Sequence, residues 1–220
     1  MSIPTSETVG LNVQFGCGFV TPEGWQNYDV SPSRTLARIP FAQKLLRLPA
    51  WPTGARYGDV VKGLPVPPKS CRRIYSDQVL EHLALEDFRK ALRNIRVMLM
   101  PKIGVFRSFV PSLEYALKVY YDAQAKGEAD AASQFVIAIG MGHQRRRRGI
   151  DALRNILGNS AHLWAWDEAN MRKELEDAGF VDFKVVQYLT SGDPEFDRIE
   201  TYSEYRHSIK SLGFEVRVAD

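Results

Sequence analysis

The chain has 220 residues, 45% of them hydrophobic, enough to bury a substantial core in one domain spanning residues 1–220. Its 29 basic and 26 acidic residues leave a formal charge of +3, too small an excess to indicate nucleic acid or a membrane surface without a local cluster. Cys17 and Cys71 are its two cysteines, and with no CxxC pair and no zinc-like Cys/His spacing they support neither a disulfide framework nor a structural metal. The start MSIPTSETVG lacks a basic segment followed by an apolar run, and no stretch approaches the roughly eighteen apolar residues of a membrane span, so the expected setting is the reduced cytoplasm.

In chain order, Leu11–Phe15 and Gln26–Val30 read as two strands and Tyr57–Val61 as a third. The Pro-punctuated stretch SPSRTLARIPFAQKLLRLPAWP between the second and third predicts short helical pieces. Ile74–Val79 is the fourth strand. After it, Leu85, Phe88, Leu92, Ile95 and Leu99 recur at intervals of three and four, one face of a helix that Pro101 and Gly104 end. Val105–Val110 is the fifth strand. The segment Trp166–Gly179 predicts a helix with Asp167 as N-cap, Trp166 and Met171 as its hydrophobic staple, and Gly179 just past the end. Phe183–Leu189 and Phe214–Val218 bring the strands to seven. Strands alternating with helices predict an α/β sheet covered on both faces, with ligands at the carboxyl ends of the strands.

Gly16-Cys17-Gly18, Asp29, Asp59 and Ser76-Asp77-Gln78 all fall at such ends. Glycines there let backbone approach a ligand, and an acid at a strand tip accepts two hydrogen bonds from vicinal hydroxyls, as in a ribose. The ligand is therefore expected to be nucleotide-like. A dinucleotide fingerprint does not fit, because Thr21 stands where the third glycine belongs and Pro22 and Gly24 follow at once.

The block Ile74-Tyr-Ser-Asp-Gln-Val-Leu-Glu-His-Leu83, taken with the Gly-Cys-Gly turn, the acid after the second strand, GLPVP, RNIRVMLMPKIGVFRSFVPSLE and HLWAWDEANMRKELEDAGFVD, resembles the class I S-adenosylmethionine-dependent methyltransferases. Within that family it is similar to a subgroup with a GWxNxD-like second strand, here GWQNYD at Gly24–Asp29. The resemblance covers most of the chain. It implies a Rossmann-like fold with a seven-stranded, mostly parallel sheet and S-adenosylmethionine as cofactor. It also implies that Phe15, Gly16, Cys17 and Gly18 approach the methionine portion and that Asp29 holds the ribose hydroxyls. Asp59 and Val60 would flank the adenine, with Ser76 and Asp77 beneath the sulfonium. Taken singly, each has a plainer reading: Gly-Cys-Gly is a tight turn, and Asp29 and Asp59 are strand or turn caps.

Parallel neighbours need a crossover of a dozen or more residues, yet only Cys17–Gly24 separates the first two strands, so the usual first helix is expected to shrink to a loop or single turn. Pro101-Lys-Ile-Gly104 replaces the family's Pro-Gly-Gly, and Ser112 stands where an acid is common. Lys69–Arg73 is also more basic than the family's pattern.

Methyl transfer depends on placing the acceptor in line, and a proton acceptor is needed for only some nucleophiles. Glu81 and His82, expected at the start of the helix after the fourth strand, and His162, in the HLWAW stretch, are the candidate catalytic groups, with a structural role the plainer reading of His82. Trp164 and Trp166 read as acceptor wall or core. An insertion at 113–161 carries Arg145, Arg146, Arg147 and Arg148, a candidate binding surface for an anionic acceptor or, more simply, a solvated face. Four arginines do not by themselves argue for nucleic acid. The expected activity is methylation of a small-molecule or glycan-type acceptor. The alternatives are a catalytically inactive binding protein of the same fold, or a nucleic-acid-directed methyltransferase.

Overall fold

The structure is a computed structural model and describes residues 10–37, 39–45, 48–142, 162–207 and 209–219. It contains β1 (Leu11–Phe15), β2 (Trp25–Asp29), α1 (Pro32–Leu36), α2 (Pro40–Leu45), β3 (Ala55–Tyr57) and β4 (Cys71–Asp77). A 3-10 turn, Leu80–His82, precedes α3 (Leu85–Met98), β5 (Val105–Pro111), α4 (Leu113–Ala125) and α5 (Ala131–Ala138). Then come α6 (Glu168–Asp177), β6 (Phe180–Val186), α7 (Pro194–Glu200) and β7 (Ser211–Val218).

The seven strands form one sheet in the order β3-β2-β1-β4-β5-β7-β6. All neighbouring pairs are parallel except those made by β7, which runs antiparallel to both β5 and β6. The sequence reverses direction of strand placement between β1 and β4, so the carboxyl ends of β1, β2 and β4 border a crevice, the usual ligand position in such sheets.

Alternation along the strands sends Val13, Phe15, Tyr28, Ile74, Phe106, Phe214 and Val216 to one face, where they pack with Phe88, Leu92 and Ile95 of α3 and Met171 and Leu175 of α6. Side chains of this kind stabilise the fold by roughly 1.5–3 kcal/mol each when fully buried. The expected cap on α6 is present: Asp167 accepts a hydrogen bond from the Asn170 amide at 2.7 Å, and Gly179 takes φ +86° just past the last turn. Trp166 and Met171 are both fully buried in the same cluster.

The opposite face has a smaller cluster, Trp25, Tyr75, Phe109, Tyr188, Phe196 and Ile199. The first crossover contains no helix: residues 16–24 connect β1 to β2 as turns and loop, as expected. Helix α7 and the chain around it cover this face instead. Trp25 Nε1 donates to Glu195 at 3.1 Å, Arg198 to the Glu23 carbonyl at 2.7 Å, and Arg73 to Asp193 at 2.7 Å. Beside this cluster Arg107, fully buried, donates to Glu200, to Glu215 at 2.6 Å and to the Gln187 carbonyl at 2.5 Å.

Several boundaries differ from expectation. β3 ends at Tyr57 because Asp59 folds back to accept from the Val61 amide at 2.9 Å, forming a turn that places Val60 and Val61 against the core from a loop. β6 begins at Phe180 and carries a bulge between Val181 and Lys184, with Asp182 at φ +57°, which shifts its register and its end. Glu81 and His82 lie in the 3-10 turn, and α3 starts only at Leu85, so neither residue stands at the start of that helix as expected, and no helix dipole among the described residues acts on the His82 ring. No described helix is long and apolar enough to cross a membrane.

Candidate functional site

One cleft opens at the carboxyl ends of β1, β2 and β4. Phe15 and Gly16 line it from the first loop, Asp29 and Ser31 from the second, Gly58 to Val61 from the third, and Gln78, Val79, His82 and Leu83 from the fourth. Gly16 takes φ +64°, and a Cβ there would lie 2.3 Å from Val79 Cγ2, so only glycine lets the first loop rest on the fourth. Asp29 is 4% exposed, and both of its oxygens are oriented by backbone. Oδ2 accepts from the Gly18 amide at 2.9 Å and Oδ1 from the Ser31 amide at 2.7 Å. Each oxygen keeps acceptor capacity for a further donor.

Five of the nine expected cofactor contacts thus share this cleft: Phe15, Gly16, Asp29, Asp59 and Val60. Gly18 contributes its amide to Asp29. Cys17, Ser76 and Asp77 do not line it. The Cys17 thiol is buried and pushed up to about 12 by burial and by the Asp29 charge. Ser76, on the α3 side of β4, shares a 2.8 Å hydrogen bond with Ser108. Asp77, one residue on, faces the other way and accepts from the Tyr188 hydroxyl at 2.6 Å. The fourth strand, expected to run to Val79, ends at Asp77, and the chain turns at Gln78, φ +53°. A non-glycine residue in that conformation leaves little trace in a sequence.

The three candidate catalytic residues come together. The Glu81 carbonyl accepts from the amides of Leu163 at 2.8 Å and Trp164 at 3.1 Å, and the Leu113 amide donates to the Trp166 carbonyl at 2.9 Å. These bonds hold the segment from His162 to Trp166 beside the 3-10 turn. The His82 and His162 rings stand edge to face with centroids 4.8 Å apart. The Nε2 atoms of His82 and His162 lie 3.7 and 3.8 Å from Glu81 Oε1. His162 Nδ1 is 2.8 Å from the Ile139 carbonyl, which only accepts, so Nδ1 carries the proton and the neutral ring keeps its Nε2 lone pair. Glu81 is fully buried, and desolvation pushes its carboxyl up to about 8.

Trp166 is core, its ring tilted against Phe88 with centroids 4.3 Å apart, whereas Trp164 is 36% exposed. A second cleft, whose lining includes Gln78, Pro111, Tyr115, His162 and Tyr205, adjoins the first through Gln78. Sequence reasoning placed Gln78 at a strand end but gave it no role, and it missed Tyr115 and Tyr205, which carry no local motif. Arg145 to Arg148 lie outside the described residues.

No protein-family model matches the chain, and no curated protein matches it by sequence. Solved structures match along nearly all of it. It is similar to an S-adenosylmethionine-dependent methyltransferase from Methanosarcina mazei at TM-score 0.50 and 14% identity, over 97% of this chain and 95% of that one. A second, from Thermotoga maritima and described as a possible histamine N-methyltransferase, aligns at TM-score 0.50 and 16% identity, over 94% of this chain and 81% of that one. The strand order, the single antiparallel strand and these likenesses give the chain the Rossmann-like fold of the S-adenosylmethionine-dependent methyltransferases.

Proposed function

We propose that the chain is a cytoplasmic S-adenosylmethionine-dependent methyltransferase acting on a small-molecule or glycan-type acceptor. The observation that carries this reading is Asp29, a buried carboxylate held by two backbone amides at the rim of a cleft floored by Gly16. The residues fit such a cofactor. Asp29 has lone pairs for a ribose diol, and the side-chain-free Gly16 leaves room for close approach. Val60, Val61 and Leu83 supply apolar walls suited to a purine, beside the Asp59 turn. S-adenosylmethionine, when bound, supplies an electrophilic methyl group on a sulfonium.

Within this reading the second cleft seats the acceptor, with Tyr115 and Tyr205 as its aromatic walls. His162 borders that cleft and His82 the first, so the pair stands between the two seats. The Nε2 lone pair of His162 is positioned to hold an acceptor proton, and the Ile139 carbonyl fixes the tautomer that makes this possible. Burial of Glu81 and Trp166 beneath them keeps water from that side of the site.

Calorimetric titration with S-adenosylmethionine and S-adenosylhomocysteine tests the cofactor. S-adenosylhomocysteine should bind and raise the melting temperature, since a ligand of the folded state alone stabilises it by mass action. Asp29→Asn should weaken binding by about 1.5–3 kcal/mol, the range for a lost hydrogen bond to a charged group. No binding at millimolar ligand would overturn the reading, and an Asp29→Asn protein that binds normally would reduce Asp29 to a cap.

A further inference from the structure

We propose that Glu81, His82 and His162 form a binding site for a divalent transition-metal ion with the ligand preferences of zinc. One ligand atom from each of the three lies within 4.8 Å of the others, and Glu81 Oε1 is 3.7 and 3.8 Å from the two Nε2 atoms. A zinc ion bound at about 2.0–2.2 Å sets tetrahedral ligand atoms roughly 3.4 Å apart, so the two carboxylate–imidazole separations need to contract by only a few tenths of an ångström and the two imidazole nitrogens by at most about 1.4 Å, within reach of a side-chain rotation. Two imidazoles and one carboxylate are the donor types that such ions take, and three protein ligands leave a coordination position open.

A second observation also points to a cation. Both oxygens of Glu81 are buried and have no hydrogen-bond donor among the described residues, although the side chain is 0% exposed and stands beside the two histidines. Buried carboxylates are ordinarily satisfied by donors, paired with charge or coordinated to metal. The surroundings also resemble the outer support of a metal site. The Nδ1–H of His162 is tied to the Ile139 carbonyl at 2.8 Å, which directs Nε2 at Glu81. Gly140 fixes the ring further, because a Cβ there would stand 2.3 Å from His162 Nδ1 and Cε1.

Of the two imidazole ligands, His82 borders one cleft and His162 the other, so an ion held by both would be within reach of either. If the proposed methyl transfer is correct, on which this last step rests, the metal would hold an acceptor hydroxyl and promote loss of its proton to solvent, in place of a histidine base.

The test uses the full chain stripped with chelator and titrated with Zn2+ by calorimetry, and with Co2+ by visible absorption. One ion per chain is expected, with Co2+ bands typical of a low-symmetry nitrogen and oxygen site. His162→Gln and Glu81→Gln should each weaken Zn2+ by at least roughly 100-fold, since outer partners of metal ligands alone are worth roughly 10–100-fold. His207→Gln, distant from the cluster in sequence and bordering another cleft, should bind as the parent does. Circular dichroism and S-adenosylhomocysteine titration of the same variants check folding and the first cleft. Metal binding without cofactor binding would overturn the methyltransferase reading and keep the site. Absence of saturable binding, or equal affinity in parent and His162→Gln, would overturn the site. Should Glu81→Gln fail to fold, His82→Asn takes its place under the same criterion.

Discussion

On the face covered by α3 and α6, the sheet presents Val13, Phe15, Ile74, Phe106 and Val110, with Ser76 and Ser108 satisfying each other. The opposite face is buried to a similar degree but includes Gln14, Asn27, Asp29 and Arg107. Parallel strands covered on both sides ordinarily read as near-continuous apolar runs. Here the face without a first crossover helix is closed by α7, which brings Glu200 to Arg107, while Asn27 donates to the Pro22 and Trp25 carbonyls and holds the short loop in place. The difference shows that one face works by packing and the other by specific pairing. The proposed cofactor-binding acid, Asp29, belongs to the second.

The largest way to break that comparison is Arg107→Met. Removing one partner from a buried pair strands the remaining charge, so stability should fall by about 3–5 kcal/mol, measured by denaturant midpoint. Adding Glu200→Leu should recover much of the loss. A double variant no better than the single one would assign the cost to packing, and the two faces would then differ less than their composition suggests.

Glu81 sharpens the comparison from another side, being buried as fully as Glu200 but without a donor among the described residues. Burial pushes its carboxyl up to about 8 from the ordinary 4.5, so between those values the folded state keeps a proton that the unfolded state releases. The associated stability is complete below about pH 4.5, declines as pH rises, and is spent above about 8. In chelator-treated protein the melting temperature should therefore fall from about pH 5 to 8, and Glu81→Gln should remove that part of the slope. An unchanged slope in the variant would place its origin elsewhere. The smallest effect belongs to the apolar face: Ile74→Val, at a fully buried position, should cost only about 0.5–1.5 kcal/mol by thermal or chemical unfolding. A loss comparable to that of Arg107→Met would erase the distinction.

What the sequence made legible was local. β1 falls at Leu11–Phe15 as read, all seven strands are present, and the α6 cap and the loop-like first crossover follow from Asp167 and from Pro22 and Gly24. Shifts at β3 and β6 arose where a side-chain turn at Asp59 and a bulge at Asp182 overrode the apolar pattern. Long-range placement was not legible. Arg107 meets partners 93 and 108 residues away, and His82 meets His162 only because the Glu81 carbonyl captures two amides from a distant segment. No periodicity records such meetings. The sequence named both histidines separately and gave no sign that they touch.

The cover on the second face has a consequence for the order in which the protein is made. Trp25 waits for Glu195, 170 positions later in the chain, and Phe196 and Ile199 complete the cluster around it. A growing chain that has delivered β1, β2, β4 and β5 already has most of its central sheet, but one side of that sheet remains bare until α7 emerges. Contacts this distant form late and slow folding, and uncovered aromatic side chains such as Trp25, Tyr75 and Phe109 are the kind of surface that chaperones hold and that aggregates when they do not. The economy of omitting one early helix is thus transferred to biosynthesis, as a longer interval during which the nascent chain must be protected.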